Sequence, residues 1–222
     1  MLYLHALRVN YLQHTGVPLG HAYYFPQTVG GSSMKKKFNN RTIVEAGMML
    51  ALAVILGQFI KLFSLPFGGS VTAGSMIPLL LIGMMRGPVV GITVGICYGL
   101  IDYTFGGWMV SLVQWLLDYP VAFGTLGLAG LVWNPVRKGL VNSRWGQSLL
   151  AVAAAVVGIG GRFISHFLAG VWFFGEHAPE GVPAWKYSLG YQASYLVPEI
   201  IFSAFILFFL AHPLMNFMKK RA

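Results

Sequence analysis

Asp118 and His166 sit inside two long apolar runs, Val110 to Val132 and Ser148 to Phe174, where the expected surrounding is lipid. An ionisable group at the bilayer centre costs roughly 2.5 to 3.5 kcal/mol on insertion scales, so such residues mark functional positions by default. Gln192 adds an amide a short way into a third run. Aromatic residues gather at the same ends of these runs: Trp108, Trp115, Tyr119, Trp172, Phe173, Phe174, Trp185, Tyr187 and Tyr191. A carboxylate, an imidazole, an amide and aromatic faces in a partly dry cavity suit a flat, nitrogen-rich, cationic ligand. Stacking, cation–π attraction and a counter-charge would hold it.

Each of these residues also has a plainer reading. Trp and Tyr near membrane surfaces form interfacial belts, which accounts for about half of this aromatic set. Asp118 can be a structural partner of Arg162, and His166 a packing residue. Arg162 and Glu199 lie at similar depth in their runs and are expected to form a structural ion pair. Asp102, near the end of its run, is expected to be a helix-end or rim residue, and Cys97 to be packed in the interior. Ser165, next to His166, falls on a different helix face and makes no convincing nucleophile, so catalysis is not expected. No G-x-x-x-x-G-K-[ST] phosphate loop is present, so an ATP-driven step needs a partner. No cofactor or metal is implied.

The elements that position these residues follow from composition. Hydrophobic residues make up 56% of 222 and charged residues 9%, against roughly 25% charged in a soluble domain. Mean hydropathy is +0.68. The expected fold is an all-α integral membrane protein of six transmembrane helices. Their approximate limits are Ile43 to Leu65, Met76 to Met85, Val89 to Phe105, Val110 to Val132, Ser148 to Phe174 and Ser188 to Met215. A span needs about 20 apolar residues, and the second is shorter.

The net charge of +9 does not indicate nucleic acid, because its placement follows the spans. Lys35, Lys36, Lys37 and Arg41, then Arg86, then Arg137, Lys138 and Arg144, then Lys219, Lys220 and Arg221 all fall on one side of a six-span chain. Lys61 and Lys186 fall on the other, beside Glu176 and Glu180. The positive-inside rule therefore puts both termini in the cytoplasm. Residues 1–33, rich in His, Tyr and Gly, stand apart from this pattern as a disordered or spurious extension, with Met34 and its three lysines the expected start of the 34–222 membrane domain.

Asp118 lies about 8 residues below the outer end of span four and His166 about 8 below that of span five, or about 12 Å each at 1.5 Å per residue. They can share one pocket. The segment Phe67 to Ser75 has the glycine and hydroxyl content of a lid. Gly47-x-x-x-Ala51, with Ala46 and Ala53 adjacent, forms a strip of small side chains that admits another helix closely, from a partner or from this chain.

Several strings also carry a resemblance: Gly68 to Val71, Met76 to Leu79, Leu116 to Phe123 (LLDYPVAF), Arg162 to Gly170 (RFISHFLAG), Phe173 to Gly175 and Ala184 to Leu189 (AWKYSL). From about Thr42 onward the chain resembles the thiamine-specific substrate-binding (S) components of energy-coupling factor (ECF) transporters. The resemblance implies a multi-pass protein of a bacterial cell membrane that binds thiamine from outside. It further implies docking on a transmembrane coupling protein driven by two ATPase subunits, with the small-residue strip of the first helix, Gly47 and Ala51, as the docking face. Asp118 falls where family members place a binding carboxylate, sometimes Glu, and Tyr119 follows it. His166 matches the pocket histidine, Phe174 an aromatic that is Trp in some members, Tyr187 the pocket tyrosine, and Gln192 a position associated with Asn. Trp108 and Gly170 complete the expected contact set. Some members carry a Trp and a Glu in the first outer loop, where this chain has Gly, Ser, Thr and Ala, which puts that loop's contribution to binding in question. A related flat vitamin is the alternative ligand, and a proton-coupled secondary transporter using Asp118, His166, Arg162 and Glu199 is the alternative mechanism.

Overall fold

The computed structural model describes residues 38–65, 69–72 and 74–220. The expectation for residues 1–33 lies outside them. Helix α1 spans Asn40–Phe59, and the Asn39 side chain caps it by accepting from the Thr42 N–H at 2.8 Å. Helices α2 (Met76–Arg86) and α3 (Pro88–Thr104) are joined by Gly87 alone. Gly87 has φ of 96° and donates its N–H back to Gly83, and Pro88 opens the next helix with the φ that a first turn requires. Helix α4 (Leu112–Val132) is composite, α5 (Asn134–Arg137) is one turn, and α6 (Arg144–Phe173) and α7 (Ala184–Lys219) are 30 and 36 residues long.

Among the described residues four helices, α1, α4, α6 and α7, are long and apolar enough to cross a membrane. Helices α2 and α3 are shorter apolar helices. Leu79, Leu80, Ile82 and Met84 of α2 are fully buried, so this helix is enclosed by its neighbours and its length is not set by lipid thickness.

The all-α expectation needs one correction. Helix α1 stops at Phe59, and the run expected to continue it to Leu65 instead forms strand β1 (Lys61–Ser64), paired antiparallel with β2 (Ser70–Thr72). Cys97 is also corrected, since it is exposed on α3 rather than packed inside.

Helices α3 and α4 meet backbone to backbone. A Cβ at Gly95 would overlap the Phe123 carbonyl, and one at Gly91 would lie 2.8 Å from the Gly127 Cα. Larger residues there would force the helices apart, so the glycines set the depth at which α4 presents Asp118.

Candidate functional site

Helix α4 changes its winding where it carries chemistry. Leu112–Leu116 is α-helical, Leu117–Val121 is a π-helical turn containing Asp118, Tyr119 and Pro120, and Thr125–Leu128 winds as 3₁₀. Proline has no N–H to continue the helical ladder, and π turns of this kind occur mostly at functional positions. The loosened turn is clamped from α6, where the Ser165 hydroxyl donates to the Leu117 carbonyl at 2.6 Å. That bond fixes α4 against the neighbour of His166. Ser165 therefore has a structural job.

Asp118 and His166 are brought together as their depth implied. His166 Nδ1 lies 2.9 Å from Asp118 Oδ1, with the two side chains 12% and 16% exposed. On the other edge of the ring, Arg162 Nε donates to His166 Nε2 at 3.1 Å. Arg162 Nε can only donate, so in this arrangement Nε2 accepts and Nδ1 is the nitrogen left to donate to Asp118. The Gln114 amide donates to the second carboxylate oxygen at 2.6 Å. Both oxygens of Asp118 thus face donors, a frame that an acceptor-only group fits.

The ion pair expected between Arg162 and Glu199 is not formed. Arg162 bonds to His166 and stacks over Phe123, its guanidinium carbon 4.2 Å from the ring centroid. Glu199, fully buried, accepts from the N–H and the hydroxyl of Thr72 at 2.6 and 2.7 Å. The direct pairing of Asp118 with Arg162 is likewise replaced by one through the imidazole. Helical spacing brings Arg162 to His166, four residues on, before any residue of another helix.

These groups surround one cavity of about 220 Å³. Asp118, Tyr119, His166, Phe174, Tyr187, Gln192, Trp108 and Gly170 all line it. Of the nine aromatics named above, Trp108, Tyr119, Phe174, Tyr187 and Tyr191 line the cavity and the other four do not. Trp172 and Trp185 are exposed. Gln192 donates to the His166 carbonyl at 3.3 Å and accepts from the Tyr195 hydroxyl at 2.5 Å. Gly170 leaves room for this arrangement, because a Cβ there would overlap the Ser188 hydroxyl. The Tyr119 hydroxyl accepts from the Trp108 N–H at 2.9 Å, tying the rim loop to the site.

Sequence reasoning missed several lining residues. Asp102, read as a rim residue, lines the cavity and accepts from the Gln58 amide at 2.6 Å. The first outer segment, whose part was in question, contributes Lys61, Gly69, Ser70, Thr72 and Ser75. Gln114, four residues before Asp118, was signalled by helical spacing alone. Three carboxylates, Asp102, Asp118 and Glu199, face Lys61 and Arg162, so with neutral histidines the cavity carries one net negative formal charge. A single cation balances it.

Phe174 tests which aromatic rings matter. It lines the cavity beside His177, with ring centroids 6.1 Å apart. Phe174→Ala is expected to weaken binding of a cationic heterocycle by about 1 to 2 kcal/mol, the scale of a desolvated cation–π contact. Unchanged affinity by calorimetry would return this ring to the interfacial belt.

The chain matches the model of the family described as thiamine transporter protein (Thia_YuaJ) over residues 43–219. It is 40% identical over 168 residues to the thiamine transporter ThiT of Bacillus subtilis (strain 168), covering 74% of this chain and 87% of that one. It is 32% identical over 151 residues to the thiamine transporter ThiT of Lacticaseibacillus paracasei, covering 64% and 75%. A solved structure of ThiT from Listeria monocytogenes superposes with a TM-score of 0.65 at 25% identity, covering 80% of this chain and 99% of that one. With the family model spanning most of its length and its helices apolar enough for a bilayer, the chain belongs to the thiamine transporter family of membrane proteins.

Proposed function

We propose that this chain is the thiamine-binding S component of an ECF-type uptake system in a bacterial cell membrane. It spans the membrane six times with both termini in the cytoplasm, and it delivers substrate by docking on a coupling protein driven by two ATPase subunits. Its role is transport rather than catalysis. The observation that carries the ligand reading is the donor-lined carboxylate of Asp118 in a cavity with one net negative charge. Thiamine brings one permanent positive charge on its thiazolium and a hydrogen-bonding aminopyrimidine. Asp118 offsets the cation and accepts from the ring, while Phe174, Tyr187 and Trp108 supply stacking faces.

The six-span topology rests on the alternation of basic segments and on six apolar helices, two of them short. The docking reading rests on α1, where Gly47 and Ala51 face outward and a Cβ at Gly47 would meet nothing among the described residues within 4 Å. Ala53 is buried in the core and is no part of that outward strip.

Proteoliposomes separate this mechanism from a proton-coupled one. Thiamine uptake is expected to require the coupling protein and its ATPases with ATP, and to survive collapse of the proton gradient. Uptake by this chain alone that disappears with the proton gradient would make Asp118, His166, Arg162 and Glu199 a proton relay instead.

A further inference from the structure

Glu199 is fully buried in the middle of α7, yet only one of its two carboxylate oxygens is used by the protein. Oε1 accepts twice from Thr72, through the N–H at 2.6 Å and the hydroxyl at 2.7 Å. The Thr72 oxygen in turn lies 2.8 Å from the Ser75 hydroxyl and accepts from the Ser75 N–H at 3.2 Å. The Glu199 bonds reach across 127 residues and fasten strand β2, which lines the cavity, to the last helix, with a second tie from the Gly69 N–H to the Tyr191 hydroxyl at 3.1 Å. Oε2 is buried without a partner, and Glu199 is one of the residues that line the cavity. A buried carboxylate oxygen left unpaired is costly, and the cost is removed if something that enters the cavity donates to it. Neither cation of the cavity does so, since Arg162 is engaged with His166 and Phe123 and no ion pair to Glu199 is formed.

We propose that Glu199 is a second ligand-recognition carboxylate, its Oε2 accepting a hydrogen bond from an N–H or O–H of the bound ligand while its Oε1 holds strand β2 through Thr72. The inference rests on the thiamine reading and adds a contact to it. One side chain then joins recognition to the placement of β2: a ligand that donates to Oε2 fixes the carboxylate in the orientation that accepts from Thr72. Thiamine offers two kinds of donor, the exocyclic amine of its pyrimidine and the hydroxyl of its side chain. Asp118 can serve only one end of such a molecule, and Glu199 serves another donor.

The test is a cycle of ligand and protein changes, measured by calorimetry on purified protein. Glu199→Gln retains an oxygen to accept from Thr72 but replaces Oε2 with an NH₂ group, so the hairpin tie survives and the acceptor is lost. Thiamine affinity is expected to fall at least about 10-fold. Two analogues, one with the exocyclic amine replaced by a carbonyl oxygen and one without the side-chain hydroxyl, then identify the donor. One of them should bind the parent at least about 10-fold more weakly than thiamine, but bind Glu199→Gln within about threefold of thiamine. Equal penalties for both analogues in parent and variant would overturn the contact, as would full thiamine affinity in Glu199→Gln. Should that variant not yield monodisperse protein, Glu199→Asp replaces it with the same two readouts, because the shorter acid cannot reach both Thr72 and the ligand. Thr72→Val separates the two roles. It should speed thiamine dissociation at least about threefold while leaving the parent's order of preference among the three ligands unchanged, and a changed order would overturn the division of labour. A parent that does not bind thiamine at all would defeat the ligand reading itself, a different outcome from any of these.

Discussion

Asp118→Asn is expected to lower thiamine affinity by at least roughly 100-fold, or about 2.7 kcal/mol at about 1.4 kcal/mol per decade, with the protein still folded. The substitution keeps the shape and removes the anion that offsets the thiazolium. It also breaks the frame around the side chain, because His166 Nδ1–H and the Gln114 amide both donate to Asp118 while an Asn presents one acceptor and one donor. Gln114 cannot turn its amide to compensate without loss, since its oxygen already accepts from the Val110 N–H at 3.0 Å. Arg162, held to the other side of the imidazole, is then left without its share of the counter-charge in a partly buried setting. Asp118→Glu should retain measurable binding, because it restores an acceptor-only group. Equal thiamine affinity in a monodisperse Asp118→Asn preparation would leave this carboxylate a structural partner of His166 and Arg162.

The other large effect is expected on transport rather than on binding. Gly47→Trp or Ala51→Trp should leave thiamine binding by the isolated chain intact and abolish uptake in the presence of the coupling protein and ATPases. Both positions face outward, and no atom of the described residues lies within 4 Å of a Cβ at Gly47, so a bulky ring there need not disturb the core. A partner helix packed against a strip of small residues, in contrast, would be held off by several ångströms, and packing falls away steeply with such a gap. Binding and uptake that both persist in the two variants would move the coupling face elsewhere on the molecule.

The depth of Asp118 and His166 was legible in the sequence because a helix advances by a fixed rise and the apolar runs have readable ends. The same arithmetic placed Phe174 and Tyr187 between that level and the outer rim, with Gln192 a short way into its run. What it could not show was contact between distant segments. Asp102 reaches the cavity because α3 and α4 approach at Gly95 and Gly127, and the sequence does not say which glycine meets which backbone. Glu199 meets Thr72 across 127 residues, a pairing with no local signature. The hairpin was hidden for another reason: Lys61–Ser64 continues the apolar run of α1, and strands of four and three residues with a register shift between Lys61 and Phe63 are too short to show alternation. Arg162 was assigned the wrong partner although spacing alone pointed to His166, one helical turn away.

Native mass spectrometry of the purified chain, released from detergent after exposure to thiamine, tests the central claim most directly. One thiamine per chain is predicted for the parent, with binding strongly reduced in Asp118→Asn at the same thiamine concentration. A parent that retains no thiamine, or an Asp118→Asn variant loaded as fully as the parent, would contradict the account.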